Sequence, residues 1–429
     1  VSTVASTEAP TPAPGASASV RALADRAAGT VLARALRQGD RVGWAAWHRL
    51  DGTAPATLRL GGAEVYDGDA GIGWALGVLS PVLDRPELHE LARRAVAGAG
   101  PTVQAPGLLD GRAGVAVARA AVTGAGDPSR LPAADDVSGT DLLDGLSGVL
   151  LAALSLGAAP RVTDELVRAL LDRGSAQREG WCYPGPPDAG GVPLAPLTGL
   201  AHGSSGVLLA LGHWLATDPG TALAARVRER FRATWLWETA WSDPVLGWPD
   251  LREEPPAYPV MWCHGAAGIA ATRIELGRLC EAGVDLGVPG PALRAQAEAG
   301  VRLCRDFVSH CAEQARHQQD TLGATPVQVD PADAGLTLCH GLGGALDVLA
   351  SAAVCWGVDE HLELARASVL DLVDASGDDP DLWPTGQRTR GGYGLFQGLS
   401  GTAVVLARLA HPEAGLPSPG MFGVPVRLP

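Results

Sequence analysis

The sequence predicts an all-α fold, an α/α toroid (barrel) of seven inner and seven outer helices with Gly-x-x-Gly turns at one end. Three observations carry this. A Gly-x-x-Gly motif followed by an apolar stretch recurs seven times along the chain. More polar segments with helical periodicity lie between the copies. Strand signals are weak.

The inner elements come first. In chain order the copies are "YDGDAGIGWALGVL" from Tyr66, "LLDGRAGVAVARAAV" from Leu108, "LLDGLSGVLLAALSL" from Leu142 and "GLAHGSSGVLLALGHW" from Gly199. "MWCHGAAGIAATRIEL" from Met261, "TLCHGLGGALDVLASA" from Thr337 and "GLFQGLSGTAVVLARLA" from Gly394 complete the set. Their first glycines lie 34 to 76 residues apart, so the repeat is degenerate and its loops vary. Each copy reads as a tight turn, where glycine allows unusual backbone angles and close approach, feeding a helix. Those helices are apolar nearly all round, which predicts burial. The outer elements include Pro86–Ala99, Thr163–Gly174, Gly220–Glu238 and Asp359–Ala375, each with a charged face and an apolar stripe. Cys182–Gly199 and Trp248–Val260 are Pro-rich and read as long loops.

Residues 1–19 are rich in Ala, Pro, Ser and Thr and read as a disordered tail, leaving 20–429 as the folded domain. That tail lacks the basic start and apolar core of a targeting signal. The 429 residues are 46% hydrophobic, ample for a large core, and carry a net charge of −14. Such an acidic balance argues against a nucleic-acid partner. Lys and Asn are absent and Ile occurs three times, a mark of GC-rich coding rather than of function. No apolar run reaches the ~18 residues of a transmembrane segment. Seven cysteines, an odd number in a long chain, read against a disulfide framework and for a reducing, cytoplasmic setting.

Helices that all start at one end of a ring bring their turns together on the axis. The residue before each first glycine is, in order, Asp67, Asp110, Asp144, His202, His264, His340 and Gln397. Three consecutive histidines at one repeat position suggest chemistry rather than capping. Cys263 and Cys339 share the position one residue earlier. Two thiolates with the imidazole of His340 suit Zn2+, and three protein ligands leave a fourth position open. Against this stands a pair of buried core cysteines, which are common. A redox pair lacks its C-x-x-C spacing. His264 could be a fourth ligand, a proton donor or a structural residue.

Taken together, "LTGLAHGSSG", "MWCHGAAG", "LCHGLGG" and "GLFQGLSG" resemble the lanthionine synthetase C-like family over roughly residues 25–415. "WPDLR" (Trp248 to Arg252) is most similar to the cyclase half of bifunctional class II synthetases. The chain is too short to include their dehydratase half. The resemblance implies the toroid fold and a zinc bound by Cys263, Cys339 and His340. It implies a catalytic His202 and a catalytic Asp141, with Asp144 as a nearby competitor. It implies addition of a precursor peptide's Cys thiols to dehydroalanine or dehydrobutyrine, closing lanthionine or methyllanthionine rings. Partners implied are the dehydrated precursor, a separate dehydratase and an exporter, the last with peripheral membrane association. Two other readings stand beside it: a non-catalytic scaffold that binds a leader peptide, and an enzyme adding glutathione or other thiols to dehydro residues. One departure matters. Stand-alone relatives have an Arg four residues before the zinc cysteine, where this chain has Pro259. Arg252 or another loop residue is the candidate replacement.

Overall fold

The computed structural model describes residues 16–48, 57–99, 103–185, 192, 194–220, 222–322, 335–385 and 392–425. The helices in chain order are α1 (Ala16–Ala33), α2 (Asp69–Leu83), α3 (Pro86–Ala99), α4 (Arg112–Thr123), α5 (Leu146–Ser155) and α6 (Pro160–Arg173). Then follow α7 (Ser204–Leu215), α8 (Ala222–Ala240), α9 (Ala266–Glu281), α10 (Gly290–Leu322), α11 (Leu342–Trp356), α12 (Asp359–Ser376) and α13 (Leu399–Ala410). The described strands form three short antiparallel hairpins: Leu36–Gln38 with Arg41–Gly43, Ala45–His48 with Thr57–Leu60, and Ser175–Gln177 with Gly180–Cys182.

The seven repeat helices are α2, α4, α5, α7, α9, α11 and α13. Each packs on the next, and α13 packs on α2, so their contacts close into a cycle. All twelve residues of α7 are buried, as the all-round apolar pattern requires. A second cycle runs through the turns. Tyr66 N–H donates to Leu109 C=O, Leu109 to Leu143, Leu143 to Ala201 and Ala201 to Cys263. Trp262 donates to Cys339, Cys339 to Phe396 and Phe396 back to Tyr66, all at 2.8–3.3 Å. These seven turns are joined backbone to backbone.

The motif's glycines serve close approach more than unusual angles. A Cβ on Gly114 would lie 1.7 Å from the Leu108 carbonyl oxygen, and one on Gly401 would lie 1.8 Å from that of Leu395. Six of the seven first glycines are extended. Gly265, at φ +101°, is the exception. It is pressed against the carbonyl of Pro259, which accepts from Ala266 N–H at 3.1 Å.

Among the described residues, six outer helices cover this ring: α1, α3, α6, α8, α10 and α12. The outer helix that the regular repeat predicts between α4 and α5 is not formed. Between α4 and α5 the chain makes only two 3-10 turns, Pro128–Arg130 and Ala134–Asp136. The segment "GAGDPSRLPAADDVSG" has Gly, Pro and a capping Asp127 where an outer helix needs an apolar stripe. Half-buried residues of α4, among them Arg112 and Arg119, are left at that gap.

The boundary of the expected tail also moves. Residues 1–15 lie outside the described residues, but 16–19 are helical and begin α1. That helix packs on α13, and Ser17 Oγ donates to the Ala410 carbonyl at 2.8 Å. The C-terminal stretch lies across the ring. Gly420 C=O accepts from Trp262 Nε1 at 2.8 Å, and Ser418 Oγ donates to Asp347 on α11. On the other side Phe422 meets Trp74 edge to face at 5.4 Å, and Gly423 abuts Leu108. Among the described residues no helix is long and apolar enough to cross a membrane.

Candidate metal centre

A cavity of about 510 Å³ opens at the turn end of the ring. Six of the seven turns reach it, which the cyclic hydrogen bonding makes unavoidable. The residue two before each first glycine and the one after it are carried to the axis together. Cys263, Cys339 and His340 meet there, with ligand atoms all within 4.8 Å of one another. The Cys339 sulfur lies 3.8 Å from His340 Nε2. Tetrahedral zinc, with Zn–S ~2.3 Å and Zn–N ~2.0 Å, needs ligand atoms about 3.5–3.8 Å apart, so the three residues fit the ion. The donor set of two sulfurs and one imidazole also suits it.

Hydrogen bonding from Cys339, then from His340, holds the Cys263 thiol well below its ordinary range despite burial. Burial, then the Cys263 sulfur beside it, pushes Cys339 well above. The two directions describe one proton shared by one pair, and the direction we stand behind is that Cys263 is the thiolate. His340 is raised by its hydrogen bond to Cys263.

Next to this cluster His202 Nδ1 bonds Asp141 Oδ2 at 2.7 Å. Asp141 is buried, and its other oxygen accepts from Asp144 N–H and Gly145 N–H, both at 2.9 Å. The carboxylate is therefore fixed by its own turn and orients the ring, leaving Nε2 as the nitrogen available. Asp144, the competitor, is not on His202. It contacts Asp110, and burial, followed by that contact, raises its carboxyl to about 9.

His264 is buried and lies outside the three-ligand group. Its ring lies over that of His202, with centroids 5.9 Å apart and planes 26° from parallel. Its Nδ1 has no hydrogen-bond partner, and burial pushes it down, which keeps it neutral. Arg252 reaches the cavity wall from its loop. It grips Asp250 through Nε at 2.9 Å and a terminal nitrogen at 2.6 Å. A guanidinium is thus present at the site although Pro259 is not one.

Two polar lining residues were not singled out from the sequence, Tyr66 and Glu64. Tyr66 occupies the repeat position of Cys263 and Cys339, and that offset was the signal. Its hydroxyl accepts from Gln397 Nε2 at 2.9 Å and its ring stacks on Phe396 at 5.2 Å. Asp67 beside it is raised by burial to about 7 and accepts from Gln397 N–H at 3.2 Å.

Comparison with known proteins adds three findings. The family model for lanthionine synthetase C-like protein matches residues 61–422. The structure of cellobiose 2-epimerase from Spirochaeta thermophila DSM 6192 is similar at 16% identity and a TM-score of 0.39, covering 94% of this chain and 98% of that one. No curated protein matches the chain.

Proposed function

From the premise that the chain belongs to the lanthionine synthetase C-like family, we propose that it is a zinc-dependent lanthipeptide cyclase built on a closed α/α toroid. The observation that supports this best is the Cys263–Cys339–His340 cluster sharing one cavity with the His202–Asp141 pair. A leader-binding scaffold has no need of either group. A zinc ion held by Cys263, Cys339 and His340 would supply the Lewis acidity that lowers the pKa of an incoming thiol from about 8.5.

The chain's own residues do the rest. His202, held in one tautomer by Asp141, takes the thiol proton on Nε2. The sulfur's electron pair forms the new S–C bond at the β carbon of the dehydro residue. The alkene's electrons move to the α carbon and its carbonyl, and the same imidazole returns a proton to the α carbon. Nothing is lost or gained, so the ring is an isomer of the linear peptide. Arg252 stands at the wall as a donor for the carbonyl oxygen where that charge gathers. The family further implies a precursor peptide made dehydrated by a separate enzyme and later exported.

A dehydrated precursor is incubated with the protein, then alkylated and weighed. Wild type should remove alkylatable thiols with no change in parent mass. His202→Ala should retain zinc and close rings about 10²–10⁴-fold more slowly. Equal rates for wild type and Cys339→Ala on the correct precursor would refute the cyclase reading. Transfer of added glutathione in preference to ring closure would favour the thiol-addition reading instead.

A further inference from the structure

Glu238 on α8 and Arg273 on α9 form an ion pair whose side chains are both fully buried. Such a pair stabilises little against an apolar replacement, because two charges must be stripped of water. Its use has to be sought in what it holds. Glu238 Oε1 accepts from Gly199 N–H and Ser205 N–H, each at 3.1 Å. Oε2 accepts from Ser205 Oγ at 2.7 Å and from the Arg273 guanidinium. Gly199 and Ser205 lie three residues before and three after His202.

The anchoring continues outward. Arg273 Nε donates to Gln296 Oε1 on α10 at 2.7 Å, and Gln296 Nε2 donates to Thr239 Oγ1 on α8 at 2.8 Å. Trp235 Nε1 donates to the same Gln296 oxygen at 2.9 Å. Three helices thus hold one carboxylate still. Among the described residues, no other repeat turn receives a carboxylate from an outer helix. This one carries the histidine that must move a proton. Gly199 sits at φ +103° against the carbonyl of Cys263, so the same clamp fixes the spacing between this turn and the cysteine turn.

Resting on the cyclase reading above, we infer that Glu238 and Arg273 are positioning residues for His202. They act through the backbone of the Gly199–Ser205 turn and do not touch substrate.

The test replaces both charges together, Glu238→Met with Arg273→Leu, so that neither is left stranded in the core. The double variant should melt cooperatively, bind zinc fully and keep its KM within about threefold. Its kcat for ring closure should fall about 10–100-fold, since misplacement of a catalytic group by about 1 Å costs that order. In a His202→Ala background the same double change should cost less than about twofold, because residues acting through one group are non-additive. An unchanged kcat, or losses that multiply in the His202→Ala background, would overturn the inference. Should the double variant not fold, Ser205→Ala removes one clamp contact and strands no charge. It should lower kcat about 3–10-fold, and only while His202 is present; a wild-type kcat there overturns the proposal equally. A wild type that closes no ring removes the cyclase reading, and this inference with it. An active wild type with an active double variant removes this inference alone.

Discussion

The residues of the site fall into those the chain must protonate and those it must not. One zinc per chain is expected by elemental analysis, and Cys339→Ala should bring it close to zero. Asp144 makes a different prediction. Its folded carboxyl, at about 9, lies far above the usual 3.8 of an unfolded chain. The stability it contributes is complete below about pH 4 and is lost as pH rises through about 9, because the unfolded state ionises first. Asp144→Asn keeps the shape of the protonated acid and cannot ionise. The fall in melting temperature from pH 5 to pH 8 should therefore be smaller in the variant; an equal fall would show that Asp144 does not keep its proton. The candidate metal residues were legible because each stands at a fixed offset from a glycine. Tyr66 stands at the same offset, yet one tyrosine among leucines carries no chemical signature until the ring is closed. Glu238 and Arg273 were not legible at all. In "WLWETAW" and "AATRIEL" they look like ordinary helix-face charges, and only packing reveals that both are dry.

At the scale of elements, the glycines can be sorted by what surrounds them. Gly206, the second glycine of the α7 turn, would place a Cβ 2.5 Å from the Leu200 oxygen and 2.9 Å from the Leu142 Cβ. Alanine normally stabilises a helix relative to glycine by about 0.5–1 kcal/mol. Here the sign should reverse, with a loss of about 2–4 kcal/mol from overpacking. Gly277 on α9 has nothing within 4 Å of the same point. Gly277→Ala should gain about 0.4–1 kcal/mol. Urea titration of the two variants checks both signs, and two changes of the same sign would refute the close-approach account. The inner helices were readable because glycine spacing and all-round apolarity coincide. The missing outer helix was readable too, in the Pro and Gly of residues 124–139, but the regularity of the repeat suggested a symmetry that the segment does not have.

Across the whole molecule the ring depends on its last link. The turn at Phe396 joins those at Cys339 and Tyr66, and α1 braces α13 from outside. Removing residues 1–34 should strip that brace and lower the melting temperature, with zinc affinity falling alongside because the cysteine turn is part of the same cycle. Circular dichroism with a metal indicator reads both. A truncated chain with an unchanged melt would show that α1 is dispensable.

The C-terminal stretch across the ring has a consequence for traffic. Gly420 lies against Trp262, next to Cys263, and Phe422 lies against Trp74 on the other side, so the C-terminal stretch backs the chamber and makes it a cul-de-sac. A peptide cannot be drawn through it like thread through a bead. On the cyclase reading, each loop would dip in at the one mouth and withdraw the way it came before the next could follow. The order in which rings appeared would then be set by how readily each stretch of peptide folds back on itself, not by its distance from an end.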